Sequence, residues 1–495
     1  MDPVKQNLIT TEKELCRVCY TCVRDCPAKA IRITGGQAEV IHERCIGCGN
    51  CVKVCSQNAK KVAGSIEAVQ KLLQSSQKTA AIVAPSFPVE YTDISYESFV
   101  AGLRNLGFDY VSEVSFGADL VAQQYKQLIN THADQRYIAT TCPAIVSYIE
   151  KYHPDLVQYL APIVSPMIAS ARVIHKKYGD DVKVVFIGPC FAKKLEASRR
   201  LFAGDVHEVI TFTELNELFE NQQPGRNTKA VSDFDPPLPG LGALFPISRG
   251  MLHASEIEED LLQGDVIAAD GKSHFVQAIK EFENGALTAR LLEVLCCSGC
   301  IMGPGISKET PFYTRQNQVR QYARKRIENM DVDQQQHYLQ ALEDIQVQVE
   351  FNAEDCRIPL PSKEDIEKVL AGMGKFRPED ELDCGACGYE TCREHAIAIH
   401  KDLAENEMCL PFTIDRLKQS LNDLHQSNEE LATTQQALIA AEKMAGMGQL
   451  SAGIAHEINN PVGFINSNLS TLEKYARNLV GLQRVYQLFI QSLDA

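Results

Sequence analysis

The chain has 495 residues, too many for one hydrophobic core, so three or more domains are expected. A formal net charge of −15 argues against nucleic acid or an anionic membrane as the main partner, and no run of about 18 apolar residues offers a transmembrane helix. The N-terminus, MDPVKQNLITTEKELC, lacks the apolar core of a signal peptide, so a cytoplasmic location without membrane insertion is expected. Eighteen cysteines dominate the composition; with no export signal and tight C-x2-C spacing they point to metal rather than disulfides.

Residues 1–64 carry one motif twice. Cys16, Cys19, Cys22 and Cys26 are followed by Pro27; Cys45, Cys48, Cys51 and Cys55 are followed by Ser56, where the motif usually has proline. Two C-x2-C-x2-C-x3-C runs have the spacing of a bacterial two-cluster ferredoxin, in which the fourth cysteine of each run ligates the other cluster. Cys16, Cys19, Cys22 and Cys55 are therefore assigned to one [4Fe-4S] cluster, and Cys45, Cys48, Cys51 and Cys26 to the second. A zinc module is the alternative, but zinc wants one tetrahedral quartet rather than two interleaved ones.

Residues 65–78 predict a short amphipathic helix, and a new domain starts at about Thr79 and runs to 350. Strand-like runs at 80–84, 136–140 and 183–187 alternate with helical stretches at 95–106, 118–130 and 163–177, which predicts an α/β domain with parallel strands. Cys142 and Cys190 lie just past the carboxyl ends of two such strands, where open α/β sheets place their ligand sites. Residues 222–247 read as a long loop and 331–349 as polar helix. The third cysteine peptide, LLEVLCCSGCIMGPG at 291–305, sets Cys296, Cys297 and Cys300 within five residues. Thiolates so close suit a soft metal, and Gly299, Gly303 and Gly305 let the backbone fold around a bulky inorganic group. The three peptides are expected to close on one iron site.

ATTCPA, GPCFAKKLEASR and EVLCCSGCIMGPG resemble the three signature segments of the iron-only, or [FeFe], hydrogenase catalytic domain, over roughly residues 79–350. The resemblance implies an H-cluster: a cubane on four cysteines, one bridging to a diiron unit with CO, cyanide and azadithiolate. Carried over, it gives Cys142, Cys190, Cys297 and the bridging Cys300. Cys297 stands four after Glu293, as the family ligand does, but only two residues then separate it from Cys300 where catalytic members have three; Cys296 would restore that spacing and is the alternate ligand. Lys193 matches the family lysine beside a diiron cyanide, the alternative being a solvated Lys193–Lys194 pair. The departures are as informative. Thr141 stands where a proton-relay cysteine is expected, Ala161 where a relay serine is, Gln123 and Gln124 where an acidic pair often lies, and Gly188 where a methionine packs on the cluster. A threonine hydroxyl is a very poor acid beside a thiol, so such a site is expected to bind hydrogen and turn over slowly.

Residues 351–412 supply Cys384, Cys387, Cys392 and Cys409 in a pattern resembling a small helical four-iron domain of other redox proteins, with zinc as the alternative. Cys356 is given no role, and Asp383, Glu390 and His395 are read as surface or capping residues. Over 413–440, Leu417, Leu424, Leu431 and Leu438 recur every seven with Asn428 and Gln435 between them, a coiled-coil signal that predicts a homodimer; a single helix packed on the protein's own core is the alternative.

AEKMAGMGQLSAGIAHEINNPVGFINSNL resembles the H-box of a sensor histidine kinase, with His456 as phosphoacceptor and Glu457 as base. His456 is two residues from both Ile454 and Ile458 of the buried stripe, so it faces outward. Residues 441–495 are expected to form a dimerisation hairpin, its second helix at 468–494. No ATP lid or N-box follows, so kinase activity is not expected from this chain alone.

The fold class is thus multidomain α+β and α/β: a two-cluster ferredoxin fold, an α/β H-cluster domain, a small helical FeS domain, and a C-terminal coiled coil and helical hairpin. Three accessory [4Fe-4S] clusters and an H-cluster are the expected cofactors. H2, protons, a ferredoxin-like or other redox partner, maturation factors and a histidine kinase or response regulator are the expected partners. A hydrogen or redox sensor leads; a catalytic ferredoxin-linked hydrogenase whose tail only dimerises is the alternative.

Overall fold

The computed structural model describes residues 7–132, 134–221, 231–260 and 262–493. It divides into two compact units, Met1–Leu410 and Pro411–Ala495.

In the first unit the strands Ile9–Thr11 and Lys60–Val62 pair antiparallel and close the ends of the ferredoxin-like module. Between them Ile31–Thr34 and Gln37–Val40 form a hairpin. Its two-residue turn, Gly35–Gly36, has positive φ at both positions, as a tight hairpin requires. The short helices Thr21–Asp25 and Asn50–Lys53 each carry the third cysteine of a run.

The expected α/β region holds two parallel sheets. One has the order Tyr110–Glu113, Thr79–Val83, Lys183–Gly188, Glu208–Thr211; the other has Val266–Asp270, Leu291–Leu295, Tyr137–Ile138. Thr79–Val83 is buried along its whole length, the pattern of a parallel strand covered on both faces. The helices Val114–Thr131 and Pro166–Tyr178 cover the larger sheet's core. The polar segment 331–349 is helical only over Val332–Ala341; beyond it Gln348 bridges to Ile163. Of the expected loop at 222–247, residues 222–230 lie outside the described residues; the remainder is irregular apart from the turn Leu241–Leu244.

The boundaries at 64, 79 and 350 do not mark separate cores. A second apolar cluster joins Val23 and Ile46 of the ferredoxin-like module, Leu292 and Val294 of the smaller sheet, and Cys387 and Met408 of the last cysteine module. Modules this small bury too little apolar surface alone, so they share one core.

The second unit is a single helix, Leu410–Leu493. The hairpin expected over 441–495 is therefore corrected. From Leu472 to Leu493 only Asn478 and Gly481 interrupt a run free of proline, and the helix carries straight through the Asn466–Asn468 stretch where a turn would fall. The helix also continues through Pro461. Among the described residues no helix is long and apolar enough to cross a membrane.

Candidate metal centre

Two sheets deliver the hydrogenase-type thiols. Cys142 caps the helix Pro143–Tyr152 just beyond Tyr137–Ile138, and Cys297 and Cys300 follow Leu291–Leu295 of the same sheet. Cys190 follows Lys183–Gly188 of the other sheet. The glycines close the gap between them. Gly305 N–H donates to Pro189 O at 2.8 Å. A Cβ on Gly303 would lie 2.6 Å from that same oxygen, so only glycine lets the Cys300 turn meet the Cys190 turn. Gly299, at φ +72°, likewise has no room beside Pro246 O.

Cys142, Cys190 and Cys297 are half-buried and Cys300 is exposed; desolvation by the surrounding protein pushes all four thiols up, and for Cys190, Cys297 and Cys300 the neighbouring thiols add to it. Cys190 and Cys300 reach about 12; Cys142 and Cys297 move the same way. Crowded thiolates are tolerable only when a cation shares their charge, and several soft ligands around a glycine-lined turn fit an iron–sulfur group. Among the described residues no three His, Cys, Asp or Glu side chains are placed to hold a single metal ion.

Both neighbouring thiols are pushed up: Cys296 by Cys48 first and then by burial, Cys297 by burial first and then by Cys190, Cys142 and Cys300.

Lys193 is buried, not a solvated surface cation; its Nζ donates to Ser165 Oγ and Glu196 Oε2, each at 2.7 Å. Lys194 is separately engaged by Glu214, also at 2.7 Å. Thr141 is half-buried between Thr140 and Cys142, and Ala161 is fully buried. Gln123 is exposed and Gln124 half-buried. A Cβ on Gly188 would lie 2.6 Å from the Phe186 ring, so Phe186 fills the place where a longer side chain would go. Glu293 is buried in an apolar strand, with Oε2 lacking a partner while the carboxylate accepts from the backbone of Met251 and Arg249. The signal was legible: one charge inside LLEVL.

The ferredoxin thiols sort as interleaved quartets. Cys26, Cys45, Cys48 and Cys51 line one pocket together with Ile9, Ile31, Ile46 and Gly49. Cys22 instead feels Cys16, Cys19 and Cys55. The cavity loop docks on the hydrogenase-type site: a Cβ on Gly49 would lie 2.6 Å from Phe191 and Pro304, and one on Gly47 would lie 3.1 Å from Ala192 Cα.

The last module also leans on the ferredoxin-like one. Lys29 Nζ donates to Gly388 O at 2.9 Å, and a Cβ on Gly388 would lie 3.0 Å from Arg24 N. Cys387 feels Cys409 and Cys384. Asp383 accepts from Cys392 N–H at 2.6 Å, a capping role, and Glu390 N–H is bonded by Glu394. His395 is not a surface residue: it is 2% exposed, with Nε2 3.2 Å from Glu405 O. Cys356 Sγ contacts Glu43 O at 3.4 Å. In the second unit His456 and Glu457 are exposed on the single helix.

Comparison with known families matches residues 77–304 to the iron only hydrogenase large subunit, C-terminal domain, 8–56 to a 4Fe-4S dicluster domain, and 380–411 to an Fe-S cluster family. The chain is a hydrogenase-like iron–sulfur protein. It is similar to the cytosolic Fe-S cluster assembly factor NAR1 of Yarrowia lipolytica (28% identical, covering 35% of this chain and 42% of that one). It is also similar to the NADP-reducing hydrogenase subunit HndD of Solidesulfovibrio fructosivorans (26%, covering 43% and 42%) and to iron hydrogenase 1 of Clostridium pasteurianum (26%, covering 43% and 46%). The hydrogenase-like chain thus spans less than half the length of these relatives. An apo [FeFe]-hydrogenase HydA1 from Chlamydomonas reinhardtii aligns with a TM-score of 0.48 at 18% identity, covering 59% of this chain and all of that one.

Proposed function

We propose that the protein is a hydrogen or redox sensor: it binds an H-cluster, exchanges electrons through three [4Fe-4S] clusters, turns hydrogen over slowly, and signals through His456 of a homodimeric helix. Cys142, Cys190, Cys297 and Cys300 would hold the group. When bound, that group supplies the iron chemistry that splits or forms H2.

The chain's own residues supply the surroundings. Lys193, fixed by Ser165 and Glu196, places positive charge in the wall beside Cys190 and Cys300. The observation that carries the sensory reading is the pairing of a closed thiol quartet with Thr141 and Ala161, neither of which can carry a proton near neutral pH. The outward apolar stripe of the long helix, Leu417, Leu424, Leu431 and Leu438, supports dimerisation, and the H-box supports phosphotransfer from a kinase partner to His456 and on to a response regulator.

Hydrogen oxidation by the anaerobically matured protein, set beside a Thr141→Cys variant, tests this. Slow turnover that the cysteine accelerates is expected; rapid turnover by the unmutated chain would return the reading to a catalytic hydrogenase. A second reading, a cubane protein without the diiron part, is favoured by the similarity to the assembly factor NAR1. Infrared bands of bound CO and cyanide separate the two.

A further inference from the structure

The last cysteine module is fastened along one side of the ferredoxin-like one. Ile33 N–H donates to Leu403 O at 3.1 Å and Gly35 N–H to Glu405 Oε1 at 2.6 Å, so its end lies on the hairpin of Ile31–Thr34 and Gln37–Val40. The loop that carries Cys387 meets the helix Thr21–Asp25. Arg24 Nη2 donates to Ala386 O at 3.4 Å, and a Cβ on Gly388 would lie 3.3 Å from Val23 Cβ. Lys29 closes this seam. Its backbone N–H donates to Cys26 O at 3.3 Å, which makes it part of the Cys26 turn. Its Nζ donates to Gly388 O at 2.9 Å and lies 5.4 Å from the centre of the Tyr389 ring. Val23, Cys26, Cys387 and Tyr389 belong to one buried apolar cluster.

The pocket of Cys26, Cys45, Cys48 and Cys51 therefore has two neighbours. On the Cys26 side it has the Cys387 loop. On the other, Gly47 and Gly49 pack against Ala192, Phe191 and Pro304, the flanks of Cys190 and Cys300. Electron tunnelling falls steeply with distance, so electrons move between clusters whose ligand loops touch. We propose that the cluster on Cys26, Cys45, Cys48 and Cys51 is a branch point, exchanging electrons with the hydrogenase-type site across the Gly47–Gly49 seam and with the cluster on Cys384, Cys387, Cys392 and Cys409 across the Lys29–Gly388 seam. Each transfer oxidises one cluster by one electron and reduces its neighbour by one, and no bond is made or broken. A reduced one-electron carrier, or H2 at the site with release of two protons, supplies the electrons. The last cluster thus reads the charge held on the ferredoxin-like module, and its ligand Cys409 directly precedes the helix Leu410–Leu493. The proposal rests on the iron–sulfur part of the function proposed above and not on the diiron part.

The test follows magnetic interaction between reduced clusters by electron paramagnetic resonance in the reconstituted full-length chain, reduced with dithionite. In a Cys16→Ser chain, which keeps the branch-point cluster, adding Cys384→Ser should abolish one cluster–cluster interaction. In a Cys45→Ser chain, which lacks that cluster but leaves the Lys29–Gly388 seam untouched, adding Cys384→Ser should abolish none. Cys26→Ser removes the same cluster from the opposite side of the pocket and should behave as Cys45→Ser does, which guards against a local folding defect. Iron analysis should show each single substitution removing about four iron atoms per chain. An interaction lost with Cys384→Ser in the Cys45→Ser chain would make the other ferredoxin cluster the neighbour and overturn the proposal. No interaction lost in the Cys16→Ser chain would overturn it as well. An unmutated chain with no iron–sulfur signal would overturn the proposal together with the function it rests on.

Discussion

The Lys193 ammonium lies 2.7 Å from Glu196 Oε2, and both side chains are almost fully buried beside Cys190. Removing one partner of such a pair leaves a bare buried charge, which typically costs about 3–5 kcal/mol, whereas removing both can be nearly neutral. Lys193→Met should therefore destabilise strongly and Lys193→Met with Glu196→Gln much less. Denaturant unfolding of the anaerobic protein checks this, and equal losses in the single and double variants would remove the pair as the cause.

The interleaving of the ferredoxin cysteines predicts which substitutions are redundant. Cys26→Ser should remove the same cluster as Cys45→Ser, and the double variant should lose no more iron than either. Cys26→Ser combined with Cys16→Ser should lose two clusters, about eight iron atoms per chain. Iron analysis with electron paramagnetic resonance distinguishes the outcomes.

Gly303→Ala places a Cβ 2.6 Å from Pro189 O and should push the Cys300 turn off the Cys190 turn. A cost of about 1–3 kcal/mol and weaker iron retention at that site are expected. Gly446→Ala, on the exposed helix with nothing within 4 Å, should instead raise helix stability by about 1 kcal/mol, read as a higher melting temperature of the helical signal.

Burial pushes the Glu293 carboxyl up to about 8. Its unfolded value lies near 4.3, so the folded state holds the extra proton between the two. Stability should fall as pH rises through that window and level off above about 8. Glu293→Gln should flatten the slope; denaturation midpoints between pH 5.5 and 8.5 compare the two, and parallel slopes would assign the dependence elsewhere.

The long helix exposes Leu424 at 59% and Leu431 at 57%, at heptad spacing. Leu424→Lys with Leu431→Lys should convert a dimer to a monomer in sedimentation experiments. A monomeric wild type would discard the homodimer.

Cysteine spacing determined a great deal. The runs at 16–26 and 45–55, the three hydrogenase-type peptides and the 384–409 pattern each announced a soft-metal site, because few other chemistries gather thiols so tightly. The alternation of strand and helix likewise gave parallel sheet. What lay beyond the sequence was everything set by side-chain direction or by the meeting of distant segments. Nothing local says that the loop carrying Gly47 and Gly49 packs against Ala192, Phe191 and Pro304, segments more than 140 residues away. His395 read as surface because a polar residue in a polar segment gives no sign of the core it enters. The division of the strands between two sheets was hidden because Tyr137–Ile138 chooses its partner, Leu291–Leu295, from more than 150 residues away. The hairpin failed for a different reason: family resemblance suggested a turn near Pro461 to Asn468, but the chain stays one helix through it.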